Sequence, residues 1–359
     1  MSTPKNKRPI IFTDDAWIIG HKPPLTPEIV QEKMIDPMKG LPAALWWSIG
    51  DHEVYHWETK IGEIVGSGYD ISELDEGTRT AAENVKSLTQ IAGGPLKVLV
   101  DQCKNAGIEF FPRVRMNSHY AYFMPPYADG FTPKYGKFRQ EHPDLLIGRP
   151  GELIPEDCID WDIRTGKDYA YTEVRDYMYA IITELFETLD VDGVEMDFNR
   201  HPAFFRREEA YQNRYLMTDL VKKVRERMKQ VGSDRNRNIE LAVRVPPTLD
   251  DSERIGLEVS KWIQEGLVDT VVAGVGWIPF EMPIAEFVDE AKGSNCQIYG
   301  CLEGLRPLVD DNALRAAAYR MWNAGTDGIY LYNYFTMSTE WKKRMLPQLA
   351  DPVKLANMN

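Results

Sequence analysis

The segment Asp192-Gly193-Val194-Glu195-Met196-Asp197-Phe198-Asn199-Arg200-His201 gathers acidic, amide, basic and imidazole side chains within ten positions. It follows an amphipathic helical stretch and reads as a strand, in which residues two apart share a face. Glu195, Asp197 and Asn199 then point one way, and Val194, Met196 and Phe198 the other. A short buried strand of an α/β protein is ordinarily apolar on both faces. Two acids on its inner face cost on the order of several kcal/mol each unless they are paired or used. Glu303 stands in the same situation, just past the apolar run Gln297–Leu302. Carboxylate pairs cleave glycosidic bonds: one protonates the leaving oxygen while the other attacks the anomeric carbon or activates water. The two environments must hold the two groups in opposite protonation states. Asp197, Glu303 and Glu195 are the catalytic candidates.

The elements that would position these groups alternate along the chain. Strand candidates are Arg8–Asp14, Ala44–Gly50, Ile108–Met116, Gly193–Phe198, Ile239–Val245, Thr270–Gly276, Gln297–Leu302 and Gly328–Tyr334. Between and after them lie helical stretches: Thr26–Lys39, Thr78–Ala106 (broken at Gly93-Gly94-Pro95), Thr172–Leu189, Glu208–Val231, Ser252–Gly266, Ile284–Lys292, Asp311–Ala324 and Thr339–Ala356. Thr26-Pro27 is a helix start, Ser252 precedes the fifth helix, and Gly107, Gly266 and Gly325 stand where helices stop. Eight βα units with no shift in composition point to a single-domain (β/α)8 TIM barrel over residues 1–359. A doubly wound open sheet is the alternative. Its Gly-rich phosphate turn is missing, since the first strand runs into Thr13-Asp14-Asp15-Ala16-Trp17. The loops after the second and third strands are long, as loops that build a site tend to be.

The ends of these strands are polar all round the proposed barrel. In order they offer Asp14 and Asp15; Asp51, His52 and Glu53; Arg113, Arg115, Asn117 and His119; Asn199, Arg200 and His201; Arg244; Trp277; Glu303 and Arg306; and Tyr332, Asn333 and Tyr334. Convergence on one rim is what a barrel active site requires. Trp277, Trp47 and Tyr332 are candidates to stack on sugar faces. Arg113, Arg115, Arg200 and Arg244 could orient hydroxyls or an acidic substituent, which would suit a uronate or sulfated sugar. Blander roles stand beside these: Asp14 or Asp15 capping a turn, His52 and His119 as wall residues, and the arginines paired with Glu195 and Asp197.

Composition bounds the rest. The chain has 359 residues, 43% of them hydrophobic, enough for a large core. Its formal net charge of -13 argues against nucleic acid as a partner. Cys103, Cys158, Cys296 and Cys301 show neither a CxxC spacing nor the density of a disulfide scaffold. There is no secretory signal pattern and no apolar run long enough to span a membrane, so a soluble, cytoplasmic protein is expected. No cofactor is expected, and homo-oligomerisation stays open.

The run Glu173-Val174-Arg175-Asp176-Tyr177-Met178, leading into Val191-Asp192-Gly193-Val194-Glu195-Met196-Asp197, resembles the uncharacterised glycosyl-hydrolase-like barrel proteins with their "PEVRDY", helix, "DGIxxD" pattern. Arg139-Gln140-Glu141-His142-Pro143-Asp144-Leu145-Leu146 is similar to theirs as well. The resemblance implies a (β/α)8 barrel, a sugar substrate, and Asp197 as the catalytic group. The strand is also similar to the chitinase motif DGxDxDxE: Asp192, Gly193, Glu195 and Asp197 fall on its first four fixed positions. Asn199 takes the place of the proton-donating glutamate, and Asn cannot act as an acid. The acid then comes from elsewhere, with Glu303 the candidate, or the barrel binds sugar without cleaving it. A third possibility is a metal-dependent sugar isomerase or epimerase using Glu195, Asp197, Glu303 and His119 or His201 as ligands.

Overall fold

The computed structural model describes residues 8–51, 54–118, 136–274, 282–304 and 310–358. Eight parallel strands close into a barrel: β1 (Ile10–Asp14), β2 (Ala43–Ser48), β3 (Glu109–Arg115), β4 (Gly193–Asp197), β5 (Glu240–Val245), β6 (Thr270–Ala273), β7 (Gln297–Glu303) and β8 (Gly328–Tyr332). Each pairs with its sequence neighbours and β8 closes on β1, the (β/α)8 TIM-barrel topology. Every sequence-derived strand is present, with ends shifted by a few residues. The loop after β2 carries a small sheet of Gly50–Asp51, Val54–Tyr55 and Glu63–Ile64.

Alternation along each strand creates two cores. Ile10, Leu45, Val114, Val194, Met196, Leu241, Val243, Val271, Ile298 and Leu331 face the surrounding helices. Ile11, Ala44, Trp46, Phe111, Ala242, Val272, Tyr299, Cys301, Tyr330 and Tyr332 fill the lumen. Aromatic rings need room there, and glycines provide it. A Cβ at Gly193 would collide with the Phe111 ring and one at Gly328 with Tyr299.

Helix boundaries differ from the sequence pattern where backbone chemistry intervenes. The long stretch after β2 breaks as expected into Glu76–Ala92 and Pro95–Ala106, with Gly93 and Gly94 both at positive φ. The first helical stretch is irregular, passing from an α-turn (Pro27–Val30) through π (Gln31–Ile35) to 3-10 geometry (Asp36–Met38), where Pro37 cannot donate an α-helical hydrogen bond. The fifth is two short helices, Leu249–Arg254 and Val259–Gln264, divided at Gly256 with φ 91°. Its N-cap is Thr248, accepting from Asp251 N–H at 2.9 Å, so Ser252 lies inside the helix rather than before it. The last stretch also divides, at Asp351-Pro352.

The floor of the barrel is closed by Arg8, a residue the strand pattern did not single out. Its guanidinium is buried against Glu109, Glu240 (2.5 Å), Thr270 (2.9 Å) and Gln297 (3.4 Å), over the Phe111 ring at 4.9 Å. One cation thus ties four strands together. Arg8→Ala leaves two carboxylates without their counter-charge, so we expect a loss of about 2–3 kcal/mol in urea denaturation, below the full range for a buried pair because both acids keep some solvent contact. A loss under about 0.5 kcal/mol would mean that the floor is held by packing alone.

Candidate active site

Four strands bring charged groups into the upper lumen. On β3, Arg113 and Arg115 share the inward face with Phe111; in register across β4 stand Glu195 and Asp197, and across β5 from Asp197 stands Arg244. Arg244 grips Asp197 with two hydrogen bonds, Nε to Oδ1 at 2.9 Å and an Nη to Oδ2 at 3.0 Å. The backbone N–H of Asn199 adds a third bond to Oδ1 at 2.9 Å. Arg113 approaches Asp197 and Glu195 at 3.7 Å each and pairs closely with Asp15, which also takes a 2.8 Å bond from Arg115. The Tyr332 ring lies between the two buried cations, 5.2 Å from Arg113 and 4.1 Å from Arg244, and its hydroxyl reaches Asp15 at 3.3 Å.

Electrostatics separates the two β4 acids. Both are fully buried, which opposes ionisation. For Asp197 the two guanidiniums outweigh burial and hold its carboxyl below the usual range. For Glu195 burial prevails and the Asp197 charge adds to it, pushing the carboxyl up to about 8. At neutral pH Glu195 is therefore a neutral acid, bonded to the Tyr330 hydroxyl at 3.0 and 3.1 Å. Arg113 and Arg115 share Asp15 while Arg244 takes Asp197, three guanidiniums against two carboxylates.

Glu303 ends β7 on the lumen side, two residues beyond Cys301 and in register with Tyr332. Cys301 lies beside Arg244 and within the fields of both Asp197 and Glu303. Burial drives its thiol up to about 12, so it is un-ionised. The run Asp197, Arg244, Cys301, Glu303 thus spans the mouth from β4 to β7. The Asn333 amide donates to both Glu303 oxygens at 2.9 and 3.0 Å. Asn333 adopts φ 63°, a left-handed conformation that asparagine tolerates. Glu303 is 9% exposed, against 1% for Asp197.

Several expected ligands of a substrate do other work. Glu195 has no exposed surface and lies two residues before Asp197 on β4, bonded to Tyr330 and 3.7 Å from Arg113. Trp47 packs in the outer core beneath the helices, on the wrong strand face for a sugar platform. Tyr332 is buried with guanidiniums against its ring. Asn117 uses its whole amide on backbone, donating to Lys167 O (2.9 Å) and Ala203 O (2.7 Å) and accepting from Ser118 N and Lys167 N. The Asn199 amide donates to Val245 O (3.0 Å) and Gly274 O, tying the ends of β4, β5 and β6. Asp14 points outward, away from the mouth, where backbone groups of Trp17 and Ile18 and the Lys342 charge act on it. His201 lines a separate cleft of about 520 Å³ with Ile159 and Phe205. Arg200 is half-buried beyond β4, and Asp51 belongs to the small sheet. His52, Glu53, His119, Trp277 and Arg306 lie outside the described residues.

The sequence pattern missed Tyr330 and Cys301, although each is two positions before a residue it did name and shares that residue's face. Among the described residues, no three His, Cys, Asp or Glu side chains are grouped as metal ligands would be, and no helix is long and apolar enough to cross a membrane.

Comparison with solved structures finds the same barrel fold in other proteins. The chain is similar to the PgaB (BpsB) glycoside hydrolase domain from Bordetella bronchiseptica, with a TM-score of 0.55 and 13% identity over 97% of this chain and 98% of that one. It is similar also to the chitinase ChiW from Paenibacillus sp. str. FPU-7, with a TM-score of 0.52 and 11% identity over 97% of this chain and 43% of that chain. This chain therefore spans less than half the length of ChiW. At such identities the likeness establishes the barrel fold. No family model and no curated protein sequence matches the chain, and the chitinase-like reading of β4 finds no family support.

Two expectations follow from the site chemistry. Glu195 is raised in the folded state from 4.5 to about 8, so its contribution to stability is complete below pH 4.5 and is lost as pH rises through 8. Between pH 6 and pH 9, Glu195→Gln should lose on the order of 2 kcal/mol less stability than the unaltered protein, read from urea midpoints at both pH values. Parallel losses would place the carboxyl's titration elsewhere. Asn199→Asp sets a carboxylate against two carbonyls, and should cost about 2 kcal/mol without raising any hydrolytic activity. A stable, more active variant would show that the amide is not a strand tie.

Proposed function

We propose that the chain is a glycoside hydrolase in which Asp197 and Glu303 are the reacting carboxylates. The observation that carries this is that two carboxylates remote in the sequence stand at the ends of β4 and β7, with Arg244 and Cys301 between them. Asp197 is kept ionised by Arg244 and Arg113, as a nucleophile or base must be. Glu303 is nearer solvent than Asp197, as a group that must reach the leaving oxygen has to be, and the Asn333 amide fixes its orientation. The hydrolase domains that share the fold support a carbohydrate as substrate.

The inner arginines suggested an anionic sugar. Arg113 and Arg115 are both engaged by Asp15 and Arg244 by Asp197, so three of the four arginines already face a carboxylate and a neutral oligosaccharide fits better. One observation favours a second arrangement on the same fold. The Asp15 side chain is 14% exposed and bonds the Tyr332 hydroxyl, which makes it the more accessible partner for Glu303, with Asp197 then positioning Arg244.

A panel of nitrophenyl glycosides and tetrasaccharides, assayed for released phenol or reducing ends, tests the reading. Asp197→Asn should lower turnover by about a thousandfold. Glu303→Gln should cost far more on tetrasaccharides than on nitrophenyl glycosides, whose leaving group needs little protonation. If Asp15→Asn is crippled while Asp197→Asn keeps a tenth or more of the activity, the roles shift to Asp15. If both Asp197→Asn and Glu303→Gln hydrolyse the panel normally, the proposal is wrong.

A further inference from the structure

Beside the mouth, between the turns that follow β1 and β8, opens a second pocket of about 710 Å³. Neighbouring residues divide between the two spaces. Asp15 faces Arg113 and Arg115 in the mouth, whereas Asp14 lines the pocket. Asn333 holds Glu303, whereas Phe335 and Thr336 line the pocket. The pocket and the mouth therefore adjoin at the ends of β1 and β8, where successive residues face one space or the other.

Two features of this pocket point to a ligand. Asp14 is 4% exposed, yet its Oδ1 has no hydrogen-bond partner among the described residues. Lys342 does not satisfy it directly, since its Nζ donates to Phe335 O at 3.0 Å and lies 5.0 Å from the Phe12 ring centroid. A buried acceptor left open in this way costs stability unless something binds it. The second feature is Trp17, 62% exposed, its ring 5.6 Å from that of Phe335 and tilted by 33°. An exposed indole beside a buried, open carboxylate matches a polyhydroxylated ring, whose C–H face packs on the aromatic while one hydroxyl donates to the acid. Lys33 and Lys343 line the pocket together with Glu32 and Glu340, so it carries no charge of one sign that would select an ion.

We propose that this pocket is a second carbohydrate subsite, in which Trp17 stacks one sugar unit and Asp14 Oδ1 accepts its hydroxyl while the adjoining unit lies across Asp15 and Glu303. The inference rests on the glycoside hydrolase reading and deepens it: the substrate is an oligosaccharide of neutral units, recognised over at least two rings.

Calorimetric titration of the full chain with cellotetraose, tetra-N-acetylchitotetraose and tetragalacturonate, and with their monosaccharides, tests it. Trp17→Ala should weaken the best-bound neutral tetrasaccharide by about fivefold or more, with Trp17→Phe restoring most of the affinity and monosaccharide binding unchanged. Asp14→Asn should weaken the same ligand by about threefold; no weakening would remove Asp14 from the subsite. Because Trp17 is exposed, its variants are expected to keep the melting temperature. A smaller loss in Trp17→Ala overturns the subsite and leaves the hydrolase reading untouched. Preference for tetragalacturonate overturns the neutral class. Failure of the unaltered protein to bind any tetrasaccharide at millimolar concentration overturns both.

Discussion

The grip of Arg244 on Asp197 is the interaction around which the upper barrel is organised. A guanidinium and a carboxylate, both without solvent, are tolerable only as a pair with matched geometry, and here two hydrogen bonds near 3 Å provide it. Arg113 demands a second anion and finds it in Asp15 from β1. Burial, with the Asp197 charge added to it, keeps the neighbouring Glu195 un-ionised near neutral pH, hydrogen-bonded to Tyr330.

The barrel makes such a cluster affordable. Its lumen is filled from below by Arg8 and its partners, then by a layer of Trp46, Phe111, Tyr299 and Tyr330, and only above that by ions. The rigid aromatic layer holds the strand faces in register, so Arg113, Asp197 and Arg244 meet without loops having to order themselves. Trp46 and Phe111 stack at 4.8 Å, with Tyr330 set edge-on to Trp46 at 5.6 Å. Reactive groups on strand ends over such a platform can be positioned more finely than groups on loops.

The β4 motif divides into structure and chemistry on the same strand. Asp192 accepts from Phe110 N–H at 2.8 Å and staples β3 to β4, and Gly193 leaves room for the Phe111 ring. Glu195 and Asn199 serve the charge cluster and the strand ends. Asp197 carries the charge that Arg244 holds. A short pattern of acids and glycine can thus look wholly catalytic while most of it builds the barrel.

Much of this was legible in the residues alone. Short β-prone runs between helical stretches located all eight strands, and period-two parity put Glu195 with Asp197 and Arg113 with Arg115 on shared faces, because strand parity is a local property. Composition and the order of elements led to a closed barrel. Which inward groups pair, and which stay open to a ligand, depends on contacts between strands far apart in the chain, so only the tertiary structure decided it. Trp47 and Asp14 faced outward because register around a closed barrel, not residue type, sets which face meets the lumen. Asn117 and Asn199 were absorbed by backbone carbonyls that no sequence pattern locates, and Arg8 found its four partners only when the barrel closed beneath it.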